Sequence, residues 1–411
     1  MQIIETEVTV KSHAIRSVCR ACKGTDLYSV LNLGPMPLAG SFLPDETAIA
    51  KEQLYPLEVH GCADCGLIQV LNPVDPEILF QDYSFSSSTI QPLVEHFESY
   101  AQWLRQHLRP TKIIEFGCND GVLLLPLQKA GIQAIGVDVS QNITDIARAK
   151  GLDVVTGYFN PETAKQLRER VGAVDVVTGS NAFAHNDSPE LILEAANIVL
   201  SEAGHICLEF MYAGDLMEKR QWDTLYHEHL TFYSLHSIRV LLERFGFYIT
   251  EAERLPMHGG SLRICAGRKR RPITNEMQAI LKYEDERQLQ SAGTWRRFAQ
   301  ESLRQIRVVT DLYNNLKERN RIWAYGAAGK ATMWVNACKM DYLGAVVDAS
   351  PLRAGKLMPG THTPIVPPEK FRENPPDYVF VTAWNYADHI RSKESWFSGI
   401  WSVPLPELRF F

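Results

Sequence analysis

A chain of 411 residues exceeds one simple domain, so two or three are expected. Its 45% apolar and 22% charged residues are ordinary for a water-soluble globular protein, and a net charge of −6 argues against a nucleic-acid binder, which needs a basic face for phosphates. No stretch reaches the ~18 apolar residues of a membrane span, so no membrane partner is expected.

The first residues, Met1 to Glu7, lack the basic-then-apolar pattern of a secretory leader, and 1–18 read as a lead-in. Cys19-x-x-Cys22 and Cys62-x-x-Cys65 follow within a turn-rich stretch that runs to residue 75. Two such turns place four thiolates around one ion, the tetrahedral shell of Zn²⁺; with no open position the site is expected to be structural. The other four cysteines (Cys118, Cys207, Cys265 and Cys338) are scattered. This usage suits thiolate ligands in a reducing cytoplasm rather than a disulfide framework. Residues 76–110 read as a helical bridge, with Phe97, Tyr100, Trp103 and Leu104 at helical spacing.

From residue 112 a βα alternation begins. Strands are expected over 112–116, 132–138, 153–157, 173–180 and 204–210, separated by helical patterns such as 121–129 and 189–200. This is the pattern of a parallel doubly wound sheet. A helix over 236–247 and a strand pair over 248–254 and 261–266 complete it. Residues 274–319 read as a charged helical connector. A second, smaller strand–glycine turn–helix series begins at Ile322 and predicts a further Rossmann-like unit.

Three constellations carry chemistry. The first is Glu115-x-Gly117-x-Asn119-Asp120-Gly121, where the glycine turn and the following helix start present free N–H groups to a ligand. The G-x-G-x-x-G of a dinucleotide site is absent. Asp138, ending the next strand, is placed to accept both ribose hydroxyls. The arrangement resembles the S-adenosylmethionine site of class I methyltransferases; the plainer alternative is a βα turn capped by Asp120. The second is Tyr226-His227-Glu228-His229, flanked by aromatic residues, in which a histidine is suited to take a proton near neutrality. In an extended chain His227 and His229 would face one way and Tyr226 and Glu228 the other. A packing histidine or a His-x-His metal site are the rivals. The third is Asn181-x-x-x-His185 at the ligand end of the fourth strand. His258-Gly259-Gly260-Ser261-Leu262-Arg263 reads as a tight turn with a polar rim or a purely structural hairpin. Gly326-x-x-Gly329-Lys330, with Arg353 and Lys356, offers a phosphate contact or a packed turn with solvated cations.

Taken together, these motifs resemble the sugar C-methyltransferases that act on nucleotide-linked keto-deoxysugars, over nearly the whole chain. The resemblance implies an α/β protein of three parts: a zinc-binding domain (1–75), a class I methyltransferase domain (76–267) and a carboxy-terminal Rossmann-like domain with its helical connector (268–411). It implies S-adenosylmethionine bound by Glu115, Gly117, Asn119, Asp120, Gly121 and Asp138, and structural zinc on the four paired cysteines. It implies a base at His229 with Glu228 beside it and Tyr83 as a further catalytic residue, in a Tyr83-Ser84-Phe85-Ser86-Ser87 stretch whose second family tyrosine is Phe85 here. Asn181, His185, Tyr226, Ser261, Arg263 and Lys330 would bind the substrate, a nucleotide sugar. The oligomeric state is not legible. The other readings open to the sequence are methylation of an oxygen or of a non-sugar carbon acid, and a non-catalytic zinc- and nucleotide-binding scaffold.

Overall fold

The structure, a computed structural model, describes residues 15–80, 83 and 85–411. Most of the expected lead-in therefore lies outside the described residues. Three antiparallel strands, β1 (Leu27–Pro37), β2 (Leu54–Cys62) and β3 (Ile68–Val70), carry the cysteine turns at their ends. Along β2, Tyr55, Leu57 and Val59 are buried while their neighbours are half-exposed. This period-two alternation belongs to a strand with one covered face.

Where one helical bridge was expected, two helices form, Pro76–Phe80 and Gln91–His107. Phe97, Tyr100 and Leu104 bury the inner stripe of the longer one. The break between the helices brings Tyr83, Phe85, Ser87, Thr89 and Ile90 to the wall of a cavity.

The central sheet is built from β4 (Lys112–Phe116), β5 (Gln133–Asp138), β6 (Asp153–Thr156), β7 (Val174–Ser180) and β8 (Leu200–Met211). The two-residue β9 (Thr231–Phe232) follows, then β10 (Tyr248–Leu255) and β11 (Ser261–Gly267). The order is β10-β11-β8-β7-β4-β5-β6. The first five of these strands in sequence are parallel; β11 and β10 add antiparallel at the β8 edge. The chain runs from β4 to β5 and β6 on one side, then to β7 and β8 on the other. A crevice opens at the carboxyl ends of β4 and β7, where the order reverses. β9 leaves this sheet and pairs with β3, stitching residues 222–232 to the cysteine-bearing sheet.

The expected connector is two helices, Asn275–Glu286 and Ala292–Leu316. The last sheet holds β12 (Ile322–Tyr325), β13 (Val346–Val347), β14 (Ile365–Val366), β15 (Tyr378–Val381), β16 (Ile400–Val403) and β17 (Arg409–Phe410) in the order β14-β13-β12-β15-β16-β17. All its pairs are parallel except β16 with β17. One buried apolar cluster joins Val30, Leu57 and Ile68, Trp222 and Leu225, Trp295 of the long helix, and Trp334 and Phe380 of the last domain. The three parts thus share a core, and it fixes the walls of the cavity between them.

Candidate active site

The four sulfurs of Cys19, Cys22, Cys62 and Cys65 lie within 4.8 Å of one another. The pairs Cys19–Cys65 and Cys22–Cys62 are each 3.5 Å apart. Backbone N–H groups of Ala21 and Gly24 point at the sulfurs of Cys19 and Cys22, an arrangement that suits thiolates. Four convergent sulfurs with Zn–S arms of ~2.3 Å complete a tetrahedral shell, so the donors fit a closed, structural zinc ion. The site is joined to the central domain by Arg20, which is fully buried between the two cysteines of its turn. Its guanidinium donates to Asp187 Oδ1 at 2.7 and 3.1 Å and to Val70 O at 2.7 Å.

A cavity of about 890 Å³ lies where the three parts meet. One end is the crevice of the central sheet, lined by Gly117, Asn119, Asp138, Ser140 and Tyr158. Gly117 has φ +63°, and a Cβ there would stand 2.2 Å from the Ala182 Cβ, so both conformation and space require glycine. The Asp138 carboxylate accepts the N–H groups of Asn119 (2.9 Å) and Ser140 (3.0 Å), which fix its orientation at the strand end. Burial raises its pKa against those bonds.

Glu115 is buried, and its Oε2 has no hydrogen-bond partner among the described residues. Burial, then Asp138, Glu209 and Asp120, push its carboxyl well above the usual range. Glu115 does not line the cavity, and Glu209 and Asp120 are already paired with Arg263 and Lys150; Asp138 is a carboxylate that the crevice presents to a ligand, which suits S-adenosylmethionine with its ammonium and sulfonium. Ser180 Oγ and Asn181 Oδ1, buried and without a hydrogen-bond partner among the described residues, add acceptors at the same sheet edge, and Asn181 sits at φ +56°.

Asp120 and Gly121 do not line the cavity. Asp120 accepts Ser86 Oγ at 2.7 Å and also holds Ser88 and Lys150. Asn119 exchanges bonds with Phe85 O and Ser87 N, each 2.9 Å. The glycine turn thereby clamps the segment that presents Tyr83 and Phe85 to the cavity. At Gly121 a Cβ would meet Leu152 Cδ1 at 2.1 Å, a packing constraint.

The facing wall carries Tyr226, Glu228 and His229. The extended geometry expected for this stretch is not found. After the 3-10 turn Trp222–Thr224 the chain turns again, with His229 N–H donating to Tyr226 O at 2.9 Å. This brings Tyr226, Glu228 and His229 to one side and sends His227 to the carbonyls of Tyr55 and Pro56. His229 Nδ1 lies 2.8 Å from Thr224 O, and its ring stands 4.0 Å from that of Tyr226 and 5.0 Å from that of His185. Burial, then His185, holds the His229 imidazole well below its usual pKa, hence neutral. Burial pushes the Glu228 carboxyl up to about 7, opposed by the Gly40 N–H and Arg353. Tyr83 keeps its proton, since burial and then Glu228 raise its phenol strongly. His185 stacks on Phe80 at 5.8 Å and is lowered to about 4 by burial.

The third wall comes from the last domain, with Lys330, Asp348 and Arg353 beside Gly326 and Gly329. Burial lowers Lys330 to about 8, opposed by Asp223. Lys356 is not among the lining residues, nor are Ser261 and Arg263. Ser261 Oγ donates to Met257 O, and Arg263 is locked on Glu209 and lies 4.1 Å over the Tyr100 ring. Met257 lies in the turn before β11, Glu209 on β8 and Tyr100 on the helix Gln91–His107, which accounts for both residues. His258, marked in the sequence only as part of a tight turn, lines the cavity at φ +53°, and burial lowers its imidazole to about 4. The glycines after it were the available signal. Gly40 and Phe42 of the first domain and His389 and Lys393 of the last also line the cavity, without a motif to mark them.

Family models match the chain in three consecutive blocks: a zinc-binding domain over residues 19–80, a methyltransferase domain over 93–252 and a C-methyltransferase C-terminal domain over 256–406. The chain is 29% identical to the C-methyltransferase NovU of Streptomyces niveus over 405 residues, 95% of this chain and 96% of that one. A ubiquinone biosynthesis O-methyltransferase of Acinetobacter baylyi is 24% identical over 125 residues, 29% of this chain and 52% of the relative. Among solved structures, the magnesium protoporphyrin IX methyltransferase of Synechocystis PCC 6803 with bound SAH is 18% identical, with a TM-score of 0.34, covering 43% of this chain and 83% of that one. With its four-cysteine cluster and its three matched blocks, the chain is an S-adenosylmethionine-dependent C-methyltransferase with an amino-terminal zinc-binding domain.

Proposed function

We propose that the enzyme methylates a carbon next to the ketone of a nucleotide-linked keto-deoxyhexose, with His229 as the base. The carrying observation is a neutral, buried imidazole, with Nδ1 committed to a backbone carbonyl, in the same cavity as the cradle that Gly117, Asn119 and Asp138 form on the central sheet. Bound in that cradle, S-adenosylmethionine would supply an electrophilic methyl group.

His229 Nε2 takes the proton from the carbon beside the ketone, and the C–H electron pair moves into the enolate. Tyr83 and Tyr226, both kept protonated by burial, are available to donate to the developing oxyanion. The enolate carbon then takes the methyl group. Glu228, pushed up to about 7 by burial, shares the cavity wall with His229. Lys330, Arg353 and Lys393 give the last-domain wall the cations that a diphosphate needs.

The reading is tested by incubating the enzyme with S-adenosylmethionine and a panel of thymidine- and uridine-diphosphate 4-keto-6-deoxyhexoses, with mass spectrometry and NMR of the product. A new carbon-bound methyl group adjacent to the ketone is expected. Methylation on oxygen, or turnover of a non-sugar carbon acid with none of the sugar nucleotides accepted, would refute it.

A further inference from the structure

The turn that carries His229 is anchored from behind the cavity wall. Asp223, in the middle of the 3-10 turn Trp222–Thr224, is 0% exposed. Its Oδ2 accepts two indole N–H bonds, at 2.9 Å from Trp334 Nε1 and 2.7 Å from Trp384 Nε1. Both indoles belong to the last domain: Trp334 on the helix Gly329–Ala337, and Trp384 in the turn after β15. Trp222 packs edge-on to Trp334 with ring centroids 4.6 Å apart. The Lys330 ammonium lies 4.2 Å over the Trp384 ring and reaches His258 O at 3.4 Å while lining the cavity.

Asp223 Oδ1 has no hydrogen-bond partner among the described residues. A buried carboxylate held by two neutral donors on one oxygen is incompletely compensated, and a nearby cation supplies what is missing. We infer that Asp223 is a positioning residue of the methyl-transfer reaction. It provides the counter-charge for the Lys330 ammonium in the cavity wall, and through Trp334 and Trp384 it ties the turn that orients His229 to that wall. The inference rests on the readings of His229 as the base and of Lys330 as a substrate contact.

The other titratable groups facing this pair are His229, His258 and Tyr226. Burial keeps both imidazoles neutral and the phenol protonated. Among the described residues, Asp223 is thus the carboxylate that opposes the effect of burial on Lys330. Removing its charge lets burial act unopposed, so the ammonium loses its proton at lower pH.

The test is competitive acetylation of the full-length enzyme with acetic anhydride across a pH series, read at Lys330 by peptide mass spectrometry. The wild-type midpoint is expected near 8. Asp223→Asn keeps an oxygen for both indoles and should move the midpoint down by about one pH unit. An unchanged or higher midpoint overturns the inference. A merely structural role for Asp223 would loosen the fold without moving the midpoint in this direction. If Asp223→Asn does not fold, Asp223→Glu decides, because it keeps the negative charge: its Lys330 midpoint should stay within about half a pH unit of wild type, and a fall of about one unit or more overturns the inference. Turnover by His229→Gln would refute the base reading alone, since the labelling midpoints are measured without substrate.

Discussion

His229 Nδ1 lies 2.8 Å from the carbonyl oxygen of Thr224. A carbonyl only accepts, so Nδ1 carries the ring proton and Nε2 is left as the basic nitrogen. Burial keeps the ring neutral at physiological pH.

His229→Gln should lower kcat by roughly 10²–10⁴-fold. Affinity for S-adenosylhomocysteine, measured by calorimetry, should stay within about twofold, because the crevice that binds it is built on other elements. The wild-type acid limb is shifted as well. The base works in its neutral form, and burial depresses its pKa, so activity should persist through the usual imidazole range near pH ~6.5 and fall only below it. A pH–rate profile checks this sign.

Gly117→Ala should weaken S-adenosylhomocysteine binding by about tenfold or more. The new Cβ meets Ala182 and is held at φ +63°. Calorimetry reads the loss, and unchanged affinity would remove the turn from the binding site.

Glu115→Gln separates charge from shape. If this carboxylate, behind the crevice wall, answers the cationic ligand, the amide should cost about 1.5–3 kcal/mol of its binding free energy. Protein stability should hold or rise, because Oε2 of this buried carboxyl has no hydrogen-bond partner among the described residues and burdens the fold. Calorimetry and thermal unfolding of the same variant separate the two effects.

Elemental analysis should find one zinc per chain, and stripping it should lower Tm. Arg20→Met should retain the metal yet lose the tie to Asp187, at a cost of about 1.5–3 kcal/mol. Asp187 follows the His185 turn and lines the cavity, so acceptor KM should rise in this variant although its zinc content is intact. An unchanged KM would confine the zinc lobe to stability.

The parallel sheet and the cysteine cluster were legible because both are local. Strands such as Lys112–Phe116 carry a short apolar stretch that ends at a glycine turn, and Cys-x-x-Cys spacing is itself ligand geometry. The turn at Tyr226–His229 was not legible as geometry. Its shape is set by the 3-10 turn before it and by β9, which pairs with a strand more than 150 residues away in sequence. Arg263 misled for a similar reason. Glu209, the partner that takes it out of the cavity, sits on the neighbouring strand and is invisible to a motif. His258 and the Asp223 clasp depend on the last domain folding back over the central one, which no local spacing announces.

The central claim is proton removal by His229, and it can be measured without methyl transfer. In D₂O, with S-adenosylhomocysteine filling the crevice and a thymidine-diphosphate 4-keto-6-deoxyhexose as acceptor, NMR should show deuterium entering the carbon beside the ketone with wild-type enzyme and none above background with His229→Gln. Equal exchange in the two proteins would contradict the assignment of the base.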